Sequence, residues 1–121
     1  AAKEQYKSDK ADYDKAKAIY GSNEFAAKAI INANGGFKES KLGADKILAV
    51  GFDSGALQQD AIRKGIFVGS VTQDPVQIGY QAVKLAIAAA KGETVKDVDT
   101  GSKWYDAKNI DSEEIKALLY E

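Results

Sequence analysis

The chain has 121 residues, 45% of them hydrophobic and 29% charged, the length and mix of one globular domain or part of one. Its 17 Lys and Arg against 18 Asp and Glu leave a net charge of -1, without the concentrated positive charge that nucleic acid or an anionic membrane surface requires. With no His and no Cys, the chain can build no thiolate nucleophile, Cys/His zinc site, disulfide or Ser-His-Asp triad.

Residues 1–17 are rich in Lys, Asp, Glu and Ala and read as a solvated helix, with Asp9, Asp12 and Asp14 on its polar face. Ala18 to Gly21 is a short apolar run, expected to be a buried strand. Ser22-Asn23 offers an N-cap, and Glu24 sits in the first turn, where the helix dipole favours a carboxylate. Phe25, Ala26, Ala29, Ile30 and Ala33 follow at helical spacing, and Gly35-Gly36 stops the helix. Phe37 to Asp45 is a polar connector. Lys46 to Phe52 is the strongest strand signal, apolar on both faces and so expected to be a parallel strand covered on each side.

Asp53-Ser54-Gly55 is expected to cap a helix through Lys64, ended by Gly65. Ile66 to Thr72 reads as a third strand, and Asp74-Pro75 as a helix start, because Pro has no N–H to lose at the first helical position. The helix from Pro75 to Ala90 carries Val76, Tyr80, Val83 and Ile87 on one stripe, and its Tyr and Ala content over residues 80–90 reads as core. Thr94 to Ile110 is turn-rich, with extended pieces near Val95–Thr100 and Lys103–Tyr105. Asp111 or Ser112 then caps a last helix through Leu119.

Alternating strands and helices predict an α/β fold, a parallel β-sheet flanked by helices. Ligands of such sheets bind beyond the carboxyl ends of the strands. The loops there bring Asn23, Asp53 and Gln73 to that end, with Phe52 beside the carboxylate. Amides both donate and accept, and an ionised Asp accepts strongly. Such groups around an aromatic plate suit a neutral sugar, which has a rim of hydroxyls and an apolar C–H face. Asn and Asp ahead of a helix also cap it without any ligand, and a Phe at a strand end also packs as core. Three such polar groups at one end of one sheet favour the ligand reading.

Other motifs fail. There is no G-x-G-x-x-G and no phosphate-loop signature. Asp97-x-Asp99-x-Gly101 places its glycine one position early for a calcium loop, and Lys108 stands where the bidentate Glu belongs. Trp104-Tyr105 reads as a packing anchor. No run approaches the roughly 18–20 apolar residues of a membrane span. No signal peptide is visible, and a chain opening on Ala1-Ala2 reads as processed or excerpted from something longer.

AIYGSNEFAAKAI, ILAVGFDSG and AIRKGIFVGSVTQDPVQIGYQAVKLAIAAAKGE occur in that order. Together they resemble the carboxy-terminal part of periplasmic sugar-binding proteins of ABC transporters, ribose-binding type, whose type I periplasmic binding fold is shared with LacI-type repressors. The resemblance runs from about Ala18 to the end. It implies a monosaccharide ligand hydrogen-bonded by Asn23, Asp53 and Gln73, with Phe52 against the ring, and neither catalytic residues, metal nor cofactor. It also implies a lobe unit over 1–73, a helix over 74–93 that packs on an amino-terminal lobe, and a crossover segment and terminal helix over 94–121. That amino-terminal lobe, on a separate chain or missing, would be a partner, as would the membrane permease. Location would be extracytoplasmic, in the periplasm or tethered to the outer face of the membrane, and no nucleic acid would be bound. Lacking its cover, helix 75–90 could instead pair two copies. Glu24 stands where many members have Asp, and the Gly35–Asp45 connector is longer than usual.

Two other classes compete. A LacI-type effector domain shares the Asn…Gly-Phe-Asp skeleton, but Ala61 to Ile66 leading into Val71-Thr72-Gln73-Asp74-Pro75 looks like the transport group. An α/β enzyme using Asp53 as base or nucleophile would lack both His and a phosphate loop.

Overall fold

A computed structural model of the chain describes residues 15–120. The helix expected over residues 1–17, with its three aspartates, therefore lies outside the described residues apart from 15–17, which form a turn and a bend. The elements are β1 (Ala18–Tyr20), α1 (Glu24–Ala33), β2 (Leu48–Phe52), α2 (Ala56–Arg63), β3 (Gly69–Gln73), α3 (Pro75–Ala90), β4 (Ser102–Asp106) and α4 (Glu113–Lys116).

One sheet runs in the order β1-β2-β3-β4. The first two pairings are parallel, with Tyr20 opposite Val50 and Phe52 opposite Val71. The expected parallel sheet flanked by helices is formed by β1, β2 and β3, and β4 joins it as an antiparallel strand, with Tyr105 opposite Ser70. An antiparallel edge on a parallel sheet is a common arrangement. The partly exposed indole of Trp104 lies over Gly69, where a Cβ would run into the ring. Val95–Thr100, expected to be partly extended, forms no strand.

Helices α1 and α2 cross between successive parallel strands and pack against each other and the sheet. Their faces make the core: Ala27, Ile30 and Ile31 from α1, Ala61 and Ile62 from α2, joined by Ala49, Phe67, Tyr105, Ile110 and Ile115. Phe25, assigned to the apolar stripe of α1, is 64% exposed, because the buried face is rotated onto Ala27 and Ile31. Among the described residues β1 is not a buried strand but the sheet's edge, with Tyr20 mostly exposed. Nor is β2 covered on each side: Ala49 is buried while its neighbour Leu48 is exposed.

Strand starts shift for reasons of local hydrogen bonding. The amides of Ile66 and Phe67 donate to the Ala61 carbonyl at 2.8 and 3.1 Å, so these residues close the end of α2 instead of opening β3. Ile47 pairs with Leu42 in an isolated bridge, which leaves Lys46 and Ile47 outside β2. Leu42 is itself buried, so the Phe37–Asp45 connector is not merely polar. The last helix ends at Lys116, not Leu119, and continues in turns in which Leu118 and Leu119 donate to Ile115 and Lys116.

α3 spans the residues expected of it, with Asp74 accepting from the Gln77 amide at 2.8 Å and Pro75 in the first turn. The core reading of residues 80–90 is corrected. No residue of α3 is buried, and Val76, Tyr80, Val83 and Ile87 are all more than half exposed. The core draws nothing from this helix.

Candidate functional site

Because β1, β2 and β3 are parallel, their carboxyl ends share one edge of the sheet. Asn23 follows β1, Phe52 ends β2 with Asp53 directly after it, and Gln73 is the last residue of β3. Each is held differently.

Asn23 caps α1. Its Oδ1 accepts from the Ala26 amide at 2.8 Å, in an exposed position. The turn that presents it is tight: the Gly21 amide donates to the Val50 carbonyl, and a Cβ on Gly21 would lie 2.7 Å from the Ala27 nitrogen.

Asp53 does not cap its own helix, as its sequence position suggests. Gly55 is the N-cap of α2 and makes no side-chain capping bond. Instead the Asp53 Oδ2 accepts from the Glu24 amide at 3.0 Å, the first amide of α1, across 29 residues of sequence. A carboxylate at that helix N-terminus is favoured by the dipole. The backbone of Asp53 is left-handed, with φ 77°, and its amide donates to the Val71 carbonyl at 2.7 Å.

Phe52 is half-buried, and its carbonyl accepts from Gln58 Nε2 at 2.8 Å. Gln73 is exposed at the edge.

A recess of about 260 Å³ opens at this edge, lined by Asp53, Gln73, Pro75, Ile78 and Tyr120. It thus gathers Asp53 and Gln73 and adds the first turns of α3. Asn23 stands one residue from Glu24, whose amide the Asp53 carboxylate takes, and is outside the lining, as is Phe52. The recess falls just below the roughly 300–1,000 Å³ usual for a complete small-molecule site.

Sequence reasoning missed Tyr120, Ile78 and the supports of Asp53. Tyr120 is fixed from both sides: its carbonyl accepts from Gln59 Nε2 at 2.9 Å, and its hydroxyl donates to the Glu24 carboxylate at 3.4 Å. Partial burial pushes its phenol above the ordinary range; a Ser54 backbone hydrogen bond opposes this, while the charges of Asp53 and Glu24 add to it. It therefore stays protonated at neutral pH. Glu24 also pairs with Lys28 and lies over Gly55. Ser54 is buried, donating to the Leu118 carbonyl and accepting from Thr72 Oγ1. Those links pin the carboxy-terminal segment over the loop that carries Asp53. No sequence signal marks them, since they join residues 18 to 96 positions apart.

What the edge offers chemically is a carboxylate, two carboxamides, a phenol and apolar flanks. Among the described residues no group of three His, Cys, Asp or Glu is placed to hold a metal ion.

Residues 2–94 match the model of a periplasmic binding protein domain. The fold is similar to that of a carbohydrate transporter solute-binding protein from Agrobacterium radiobacter in complex with D-arabinose, at 31% identity, TM-score 0.81, over 98% of this chain and 39% of that one. A solute-binding protein from Agrobacterium vitis with bound D-fucose is similar at 29% identity, TM-score 0.81, over 98% of this chain and 40% of that one. A protein from Brachyspira murdochii described as an ABC transporter, LacI family transcriptional regulator, is 46% identical, TM-score 0.77, over 93% of this chain and 39% of that one. No curated protein matches the sequence. The chain spans about two-fifths of the length of the structures it matches. It belongs to the periplasmic binding protein domain family, with the mixed α/β sheet of that fold.

Proposed function

We propose that this chain is the carboxy-terminal-lobe part of the solute-binding receptor of an ABC-type sugar importer. Its ligand is a neutral monosaccharide, held by Asn23, Asp53 and Gln73 with Phe52 toward the ring. The observation that carries this reading is the meeting of Asp53 and Gln73 at one recess on the carboxyl edge of a sheet similar to those of sugar-bound receptors. A carboxylate beside carboxamides matches the alternating donors and acceptors of a polyol. The recess is open enough to be half a cleft. The other half is the amino-terminal lobe, which also covers the apolar stripe of α3, and closure about the hinge between lobes delivers the sugar to a membrane permease. The protein works outside the cytoplasm, binds without catalysis and contacts no nucleic acid.

A LacI-type effector domain is the second reading, favoured by the description of the Brachyspira protein. Both readings place an effector or solute at the same edge. The residues preceding the lobe discriminate them: a signal peptide marks the receptor, a helix-turn-helix the repressor.

Calorimetry of the full-length protein against a panel of pentoses and hexoses tests the proposal. Binding of at least one neutral sugar, lost on Asp53→Ala, is the expected result; binding of none across the panel contradicts it.

A further inference from the structure

Asp53 is the one described non-glycine residue with a left-handed backbone. Asp tolerates that region better than most residues, yet it persists only where the surroundings enforce it. The enforcement is visible at its carbonyl oxygen. Tyr105 Oη donates to it at 2.8 Å from β4, Ser70 Oγ at 3.0 Å from β3, and Gln58 Nε2 reaches it at 3.4 Å from α2. All three donors are fully buried. A carbonyl has two lone pairs, so three donors on it are more than satisfaction requires. The Gln58 amide is shared with the Phe52 carbonyl, which fixes the preceding peptide as well.

We propose that Tyr105 and Ser70, aided by Gln58, are positioning residues: they clamp the Asp53 carbonyl, hold the residue left-handed and so aim its carboxylate along the carboxyl edge of the sheet. The inference rests on the reading of Asp53 as a ligand contact. The clamp itself does not. In an unclamped loop the Asp53 peptide relaxes to the ordinary right-handed or extended region, and the carboxylate swings away from the Glu24 amide. Tyr105 suits the task because its ring is a core residue and its hydroxyl keeps its proton; burial pushes the phenol up to about 12. Its position on the antiparallel strand makes β4 part of the binding apparatus without contact with ligand.

The Glu24 amide reports the clamp directly, since it donates to Asp53 Oδ2. In the chain labelled for NMR, Tyr105→Phe keeps the ring and removes the donor. The expected result is an upfield move of the Glu24 amide proton with the Ile62 amide, in the core of α2, unchanged. Ser70→Ala, a smaller change, should move the same signal in the same direction, and provides the reading if the Phe variant fails to fold. A Glu24 amide that stays in place in Ser70→Ala and in every folded Tyr105 variant overturns the clamp, as does an equal movement of Glu24 and Ile62, which marks general loosening. D-fucose titrated into full-length protein supplies the second arm, with a roughly tenfold loss of affinity in Tyr105→Phe, the scale of one buried hydrogen bond. Unchanged affinity alongside a moved Glu24 amide overturns the positioning role. A parent protein that binds no sugar counts against the functional reading, and the amide measurement still decides the clamp.

Discussion

The Asp53 carboxylate serves the fold and the site together. A carboxylate offers about four acceptor positions, and the Glu24 amide occupies one of them. Asn23 is similarly divided, with its carbonyl oxygen on the Ala26 amide and its amide group left to the edge. At Asn23 the structure shows the cap, which orients the side chain and is compatible with the ligand contact proposed for it. At Asp53 the cap exists but belongs to a different helix. Beneath it, Tyr105 gives the clamp a pH limit. The unfolded phenol ionises near 10, and burial holds the folded one protonated to about 12. Across that interval the unfolded state binds fewer protons, so stability present below pH 10 is lost as pH rises toward 12. Urea titrations should show that fall, and Tyr105→Phe should make it shallower, with the raised Tyr120 phenol accounting for part of what is left; a slope identical in both proteins contradicts the assignment. Gly21 is the other sensitive position. Gly21→Ala drives a Cβ into the α1 backbone and should cost about 1–3 kcal/mol in urea unfolding, the usual cost of overpacking.

The elements were legible where local chemistry decides them. Pro75 and its Asp74 cap fixed the start of α3, and Gly35 and Gly36, both left-handed, ended α1. Starts of β2 and β3 were not legible, because Ile47, Ile66 and Phe67 are as apolar as strand residues and are diverted, Ile47 by bonds with Lys41 and Gly43 and the other two by bonds to Ala61. The sense of β4 was likewise hidden: its register, with Gly69 opposite Asp106 and Gln73 opposite Ser102, and the lie of Trp104 over Gly69 are contacts between residues about 30 positions or more apart. Of the candidate site, the three polar groups at strand ends could be read from alternation alone, whereas Tyr120 and the clamp depend on tertiary contacts. Gly69→Val tests the β4 account. Trp104 is the chain's sole Trp and already 43% exposed, so its fluorescence should shift further to the red as the indole is pushed off the strand, with loss of about 1–3 kcal/mol. An unshifted spectrum would show that the indole does not depend on the glycine. Asp74→Ala should cost about 1 kcal/mol through the lost cap, read in the same unfolding assay.

At the scale of the molecule, a hydrophobic core under two crossover helices coexists with a 16-residue helix none of whose residues is buried. Contiguous apolar faces of a few hundred Å² usually have partners. The proposal assigns that face to the amino-terminal lobe. Taken alone, the chain should then self-associate through it, and sedimentation at micromolar concentration should find dimers that Tyr80→Lys with Val83→Glu returns to monomer; a clean 12.9 kDa monomer with α3 ordered contradicts the assignment. The same division leaves Asp53 at the boundary between lobes, where one partner of a buried charged hydrogen bond typically accounts for roughly 2–5 kcal/mol of binding. Calorimetric titration of neutral sugars into full-length protein, parent against Asp53→Ala, therefore bears most directly on the account. It predicts a sugar-binding parent and a variant weakened by a factor of about 30 or more, that range converted at about 1.4 kcal/mol per tenfold; a variant within twofold of its parent would contradict it.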